Sequence, residues 1–179
     1  MLSAMMDVMA TTTRTPLSLD KPLPGFIPGD LAWHLGMILR GHQTLFAQAV
    51  EEMPCSVRGY QMLSTVIHHD PANQQALGAH LGIDRTVLTY LIDDLVTAEL
   101  VERVPAPTDR RARKIVATEK GLAMLEKLEK RVSDAEQTLL GGLDAGETTQ
   151  LAGLLGKLSM SVHQAQPGAN PCEAMDHLG

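Results

Sequence analysis

Leu81-Gly82-Ile83-Asp84-Arg85-Thr86, running on through Ala98, is followed by Leu100-Val101-Glu102-Arg103-Val104 and then by Asp109-Arg110-Arg111-Ala112-Arg113-Lys114. Ahead of this stretch, Leu77, Leu81 and Ile83 have the spacing of a short helix that buries one face and then turns, with Asn73 placed as its N-cap before Gln74, Gln75 and Ala76. Asp84 is placed to cap the helix that follows. In that second helix Val87, Leu88, Leu91, Leu95 and Ala98 fall on one apolar side, so Arg85, Thr86, Thr89 and Asp93 face away, with Tyr90 on the flank. Two short helices with one polar outer face make a helix-turn-helix, an arrangement suited to laying its second helix in a DNA groove.

The residues beyond the second helix read as a hairpin. Leu100–Val104 and Arg113–Ala117 are β-prone runs bracketing Pro105-Ala106-Pro107-Thr108-Asp109, where two prolines and a Thr-Asp pair end the first strand and open a turn. Between residues 103 and 114 stand five basic side chains (Arg103, Arg110, Arg111, Arg113, Lys114) and one acid, Asp109, a local excess of +4 in a chain of net charge −6. Arginine on a narrow projection suits phosphate contact and minor-groove insertion, because its planar guanidinium bonds in pairs and is weakly hydrated. Asp109 is expected to orient a neighbouring arginine rather than to touch DNA. The acidic total does not exclude nucleic acid, since binding depends on where the cations cluster.

At these residues the sequence resembles the MarR family of winged helix-turn-helix transcriptional regulators. The resemblance covers roughly residues 31–164 and is tightest from Gln75 to Gly121, through Leu81-Gly82-Ile83-Asp84-Arg85-Thr86, Leu100-Val101-Glu102-Arg103, Asp109-Arg110-Arg111 and Ala117-Thr118-Glu119-Lys120-Gly121. It implies a mainly α fold, a winged helix-turn-helix with a small β-hairpin wing and long N- and C-terminal dimerisation helices. The protein it implies is a homodimeric repressor of double-stranded DNA, with a recognition helix for each major groove and an arginine-tipped wing for each flanking minor groove. Carried over by position, Arg85, Thr86, Thr89 and Tyr90 belong to the recognition helix, and Asp109, Arg110, Arg111 and Arg113 to the wing. The chain departs from the pattern at Tyr90 and Asp94, where many members carry basic residues. It departs again at Glu99, where a glycine usually ends the recognition helix, so a different cap is expected there.

Length and composition agree with one such unit. The chain has 179 residues, 44% of them hydrophobic and only 3% aromatic, with ten methionines, which favours packed helices over an all-β fold. Cys55 and Cys172 stand too far apart for a metal finger and suggest no disulfide framework, so a reducing cytoplasm is the expected compartment. No apolar run approaches the roughly 18 residues that span a membrane. Flexible tails are expected over 1–28, with four prolines, and over 165–179, flanking a winged-helix domain at 29–164. Within that domain, 57–118 is expected to form the DNA-binding lobe, and 30–52 and 119–164 the dimerisation helices. An enzyme is disfavoured: the sequence has no phosphate-binding glycine loop, nucleophile elbow or metalloprotease helix motif, and no cofactor is expected.

The helices outside the lobe carry their own signals. Helices are expected from about Asp30 to Glu52 and from about Ser56 to His68. Thr118 is placed to cap a long helix on which Leu125, Leu128, Val132, Ala135 and Leu139 form a seam for a partner helix. Asp144 with Glu147 reads as a capping box, ahead of a stripe of Leu151, Leu154, Leu155, Leu158 and Val162. Both stripes are expected to be buried between chains as well as within one. Regulators of this family often hold a small aromatic effector between dimerisation helices and lobe, which makes Trp33, His34, Met37, Met62 and Val66 candidates, against the simpler reading that they are core. Cys55, between Pro54 and Arg58 at a helix N-terminus, admits a second reading as a redox-sensing thiolate of lowered pKa. The adjacent His68 and His69 do not have metal-ligand spacing. A third reading keeps the winged helix for protein contacts alone.

Overall fold

The computed structural model describes residues 30–107, 109 and 111–165. The tails expected at either end lie outside it except for Ala165, as do Arg110 of the wing and Cys172. The order of elements is α1 (Asp30–Ala49), α2 (Ser56–His68), α3 (Gln74–Leu81), α4 (Arg85–Thr97), β1 (Val101–Pro105), β2 (Arg113–Ala117), α5 (Glu119–Leu139) and α6 (Ala145–Ala165). This is a mainly α winged helix-turn-helix, as the sequence implied.

Local capping chemistry fixes most of the boundaries. The Asn73 side chain accepts from the Ala76 N–H at 2.9 Å and starts α3, while Asp84 accepts from the Thr86 N–H at 2.7 Å and starts α4. Thr118 accepts from the Gly121 N–H at 3.0 Å and starts α5. Asp144 and Glu147 exchange side chain and backbone N–H reciprocally, both at 2.9 Å, a complete capping box at α6. Helix α1 stops at Ala49, a few residues short of the expected end, because the chain turns through 50–55 to bring Met53 into the core. Gly59 packs so closely on that turn that a Cβ there would meet the Pro54 carbonyl oxygen at 1.8 Å.

One core joins the lobe to the long helices. Val50, Met62, Leu63, Leu77, Ile92, Leu95, Leu100 and Leu128 are all fully buried in it. The buried side of α4 consists of Leu88, Leu91, Ile92 and Leu95. Val87, expected inside, is 56% exposed, and Ile92 takes its place. Leu88, Leu91 and Leu95 are inside as expected, and at the edge of this apolar side the packed structure chooses Ile92 over Val87. Helix α5 lies along α1, and its seam residues Leu125, Leu128 and Val132 are buried within the protomer. The seam is thus buried within one chain, as expected, against α1, α2 and β2.

Helix α6 differs. None of its residues is buried, and Leu154, Leu155, Leu158, Met160 and Val162 are all at least about half exposed. Nothing lies within 4 Å of where Cβ atoms would stand on Gly153 and Gly156.

The end of α4 is a correction. Glu99 itself adopts the left-handed conformation, with φ of 61°, that the usual glycine would adopt. The Leu100 N–H reaches Leu95 O and the Glu99 N–H reaches Val96 O, both at 2.9 Å, which closes the ordinary glycine-type cap without a glycine. Gly121 then sits so tightly against the chain that a Cβ would lie 2.1 Å from Leu100 O.

Candidate nucleic-acid interface

Strands β1 and β2 pair antiparallel with Val101 opposite Ala117, Arg103 opposite Ile115 and Pro105 opposite Arg113. The ladder continues past the strands, where Ala106 N–H bonds Ala112 O at 3.0 Å. At the tip Asp109 accepts twice from the backbone: its carboxylate from the Arg111 N–H at 2.8 Å and its carbonyl from the Ala112 N–H at 3.0 Å. Asp109 therefore sets the backbone from which Arg111 projects, acting on this neighbouring arginine through its main chain. Arg111 and Arg113 are exposed and enter no ion pair among the described residues.

The wing's other cations are used internally. Arg103 pairs with Asp93 on α4, and Lys114, mostly buried, pairs with Asp70 at 2.6 Å. Two of the five positive charges counted in the sequence are neutralised by carboxylates elsewhere in the chain. In exchange, the hairpin is clamped to α4 on one side and to the α2–α3 loop on the other. The effective cationic site is the tip, not the whole wing.

On α4 the outer face carries Arg85, Thr86 and Tyr90, all exposed, with Tyr90 at 68%. Thr89 is only half exposed, and its hydroxyl donates to Arg85 O at 2.9 Å. Asp84 is held below the usual carboxylate range, first by the Thr86 backbone N–H and then by the Thr86 hydroxyl. Asp93 and Asp94, near the far end of the helix, are occupied by Arg103 and by the Cys55 thiol.

That thiol corrects the redox reading. Cys55 Sγ donates to Asp94 Oδ2 at 3.1 Å, and partial burial together with the carboxylate pushes its pKa up to about 11. A sensing cysteine needs a cation beside it; this one faces an anion.

The five residues expected to line an effector pocket do not meet in the protomer. Met62 and Val66 are buried in the lobe core, whereas Trp33 and Met37 stand on the exposed first half of α1 with His34 beside Trp33, the two rings 5.0 Å apart edge to face. A shallow crevice does lie between α1 and α5, lined by His42, Phe46, Val132, Glu136 and Leu139 among others, and includes none of the five. His68 bonds Glu129 at 2.6 Å, and the His69 ring lies tilted against that of His80, with 4.6 Å between centroids. Among the described residues no three His, Cys, Asp or Glu side chains converge as metal ligands, and no helix is long and apolar enough to cross a membrane.

Residues 57–112, which run from α2 to the wing tip, match the sequence model described as MarR family. Over 135 residues the chain is also 27% identical to the HTH-type transcriptional repressor NicR of Pseudomonas putida, covering 73% of this chain and 85% of that protein. In its lobe and in its fold the chain is similar to the MarR family. A crystal structure of mutant MarR from E. coli superimposes with a TM-score of 0.63 at 27% identity, over 75% of this chain and 98% of the other. The same mutant complexed with operator DNA gives a TM-score of 0.58 at 26% identity, over 73% and 94%. These MarR-family relatives are transcriptional regulators, not enzymes.

Proposed function

We propose that this chain is a dimeric transcriptional repressor that occupies a pseudo-palindromic operator, with α4 of each protomer in the major groove and each wing tip in the flanking minor groove. The observation that carries the reading is the Asp93–Arg103 pair, which fixes α4 and the hairpin as one surface with Arg85 on the helix and Arg111 and Arg113 at the tip. Base edges in the major groove specify sequence, and tip cations against phosphates and the minor groove position the lobe. The MarR of E. coli, whose complex with operator DNA shares this fold, supports the same mode here. Residues 57–118 act as the DNA-binding lobe, and 30–52 with 119–164 as the dimerisation helices.

Two bare apolar surfaces support the dimer. One is the stripe of α6; the other is the start of α1, where Leu31, Leu35 and Ile38 are exposed beside Trp33 and Met37. Contiguous apolar area of this kind is characteristic of an interface. A small aromatic or phenolic ligand that relieves repression would bind at the exposed Trp33–Met37 segment once the dimer encloses it, and not against Met62 and Val66.

Selection of bound duplexes from random DNA tests the function directly. Enrichment of an inverted repeat with half-sites about one helical turn apart, bound with steep salt dependence, is the expected result. Recovery of no duplex at any salt would leave the winged helix as a protein-contact module and overturn the reading.

A further inference from the structure

Val87 has no part in the core of the lobe, yet it is a β-branched apolar side chain in the first turn of α4, 56% exposed. Its neighbours on the open side are Thr86 and Tyr90, of which Tyr90, 68% exposed, is the most exposed large hydrophobic side chain of the helix. The polar groups that would compete with them are engaged elsewhere. Thr89 donates its hydroxyl to Arg85 O, the Thr86 hydroxyl faces the Asp84 carboxylate, Asp93 holds Arg103, and Asp94 accepts from Cys55. Apart from Arg85 and the Tyr90 hydroxyl, what α4 offers outward is hydrocarbon: the Val87 isopropyl group, the Thr86 methyl and the Tyr90 ring.

We infer that Val87, with Tyr90 beside it, is a specificity-determining contact that reads thymine through its C5-methyl group. This rests on the DNA-binding function proposed above and deepens it by naming the base. In the major groove thymine alone among the four bases carries a methyl, so an apolar edge there distinguishes T·A from every other pair without a hydrogen bond. Recognition-helix contacts to base edges come from the helix's N-terminal residues, which is where Val87 lies. The two carboxylates nearer the other end of α4 are held by Arg103 and Cys55, so they are not free to accept from a base amino group in competition with this readout.

The test uses the full-length protein and the half-site recovered by selection from random duplexes. Each thymine is replaced singly by deoxyuridine, which removes only the methyl and keeps Watson–Crick pairing. Loss of one buried methyl corresponds to about fourfold weaker binding (~0.8 kcal/mol). The inference expects that loss at one or two adjacent thymines for the wild type. Val87→Ala should bind the thymine duplex several-fold more weakly, show no further loss on uracil at the same position, and keep its affinity for non-specific duplex. If every thymine tolerates replacement within the error of the assay, or if Val87→Ala remains as sensitive to uracil as the wild type, the assignment of Val87 is overturned while DNA binding stands. If selection recovers no duplex at all, the DNA-binding reading fails first and takes this inference with it.

Discussion

Arg111 and Arg113 keep their charge for an external partner, whereas Arg103 and Lys114 spend theirs inside the fold. Arg111→Ala is therefore expected to weaken binding to every duplex alike and to lower the log-log salt slope by about 1, and Arg113→Ala to do the same. Lys114→Ala should leave that slope unchanged and cost at most about 1 kcal/mol of stability, since its partner Asp70 is largely exposed. Anisotropy titrations at several salt concentrations separate the two outcomes, and equal slopes for Arg111→Ala and the wild type would remove Arg111 from the interface. Cys55 makes a prediction about pH. The folded chain holds the thiol proton to about 11, where an unfolded thiol releases it near 9. The stabilisation from the retained proton is complete below pH 9 and is lost as pH rises through 11. Urea midpoints of the wild type and Cys55→Ser should run in parallel up to pH 9, with the wild type losing ground between 9 and 11. At neutral pH the thiol should react with iodoacetamide more slowly than a free cysteine peptide, and faster labelling would restore the redox reading.

At the scale of elements, a cap and a close approach are the sensitive points. Glu99 occupies a left-handed conformation that disfavours a side chain, and its one ion pair, with Lys120, is exposed. Glu99→Gly should raise the unfolding free energy by about 0.5–1 kcal/mol, the relief of strain exceeding the added entropy of the unfolded glycine. Gly121→Ala should lower it by about 2–3 kcal/mol, because the new methyl meets backbone that cannot step aside. Denaturant melts of both variants check the signs. The elements themselves were legible in the sequence because their signals are local. Asn73, Asp84, Thr118 and the Asp144–Glu147 box act on neighbours within three residues, and Ser56–His68 was read at its observed bounds. Interactions that span the chain were not legible. Lys114 finds its counter-ion 44 residues upstream, and Met62 parts from Trp33 because one faces the lobe core and the other none. On α4 the spacing places Leu88, Leu91 and Leu95 inside, as observed, and errs at Val87 and Ile92, both apolar, between which only tertiary packing chooses.

For the whole molecule, α6 sets the expectations. An entire 21-residue helix with no buried side chain contributes nothing to the protomer's core. Leu155→Glu combined with Leu158→Glu should leave the lobe folded by circular dichroism while shifting sedimentation equilibrium at micromolar concentration to the monomer. Loss of simultaneous engagement of two half-sites should then cost operator affinity about 100-fold or more. A double variant that stays dimeric would place the interface elsewhere, with the start of α1 the next surface to test. Helix α5 is fastened to the rest by charge as well as packing: Lys127 and Arg131 reach Glu52 at 2.7 and 3.1 Å, and Glu129 reaches His68.

Thr118 holds both sides of the joint between α4 and α5. Its hydroxyl donates to Glu99 O at 2.7 Å while accepting from Gly121 N–H, and its own N–H bonds Leu100 O at 3.1 Å. With no room for even a methyl at Gly121, the joint is a weld rather than a hinge. Helix α5 is then a rod about 31 Å long with the reading head soldered to one end. A tilt of about 5° imposed at its far end moves the head by roughly 3 Å, more than the 1–2 Å helix shifts that switch many regulators. The leverage is mechanical: in the proposed dimer, prying the rods apart would misalign both heads on DNA without any change in the shape of α4 or the wing.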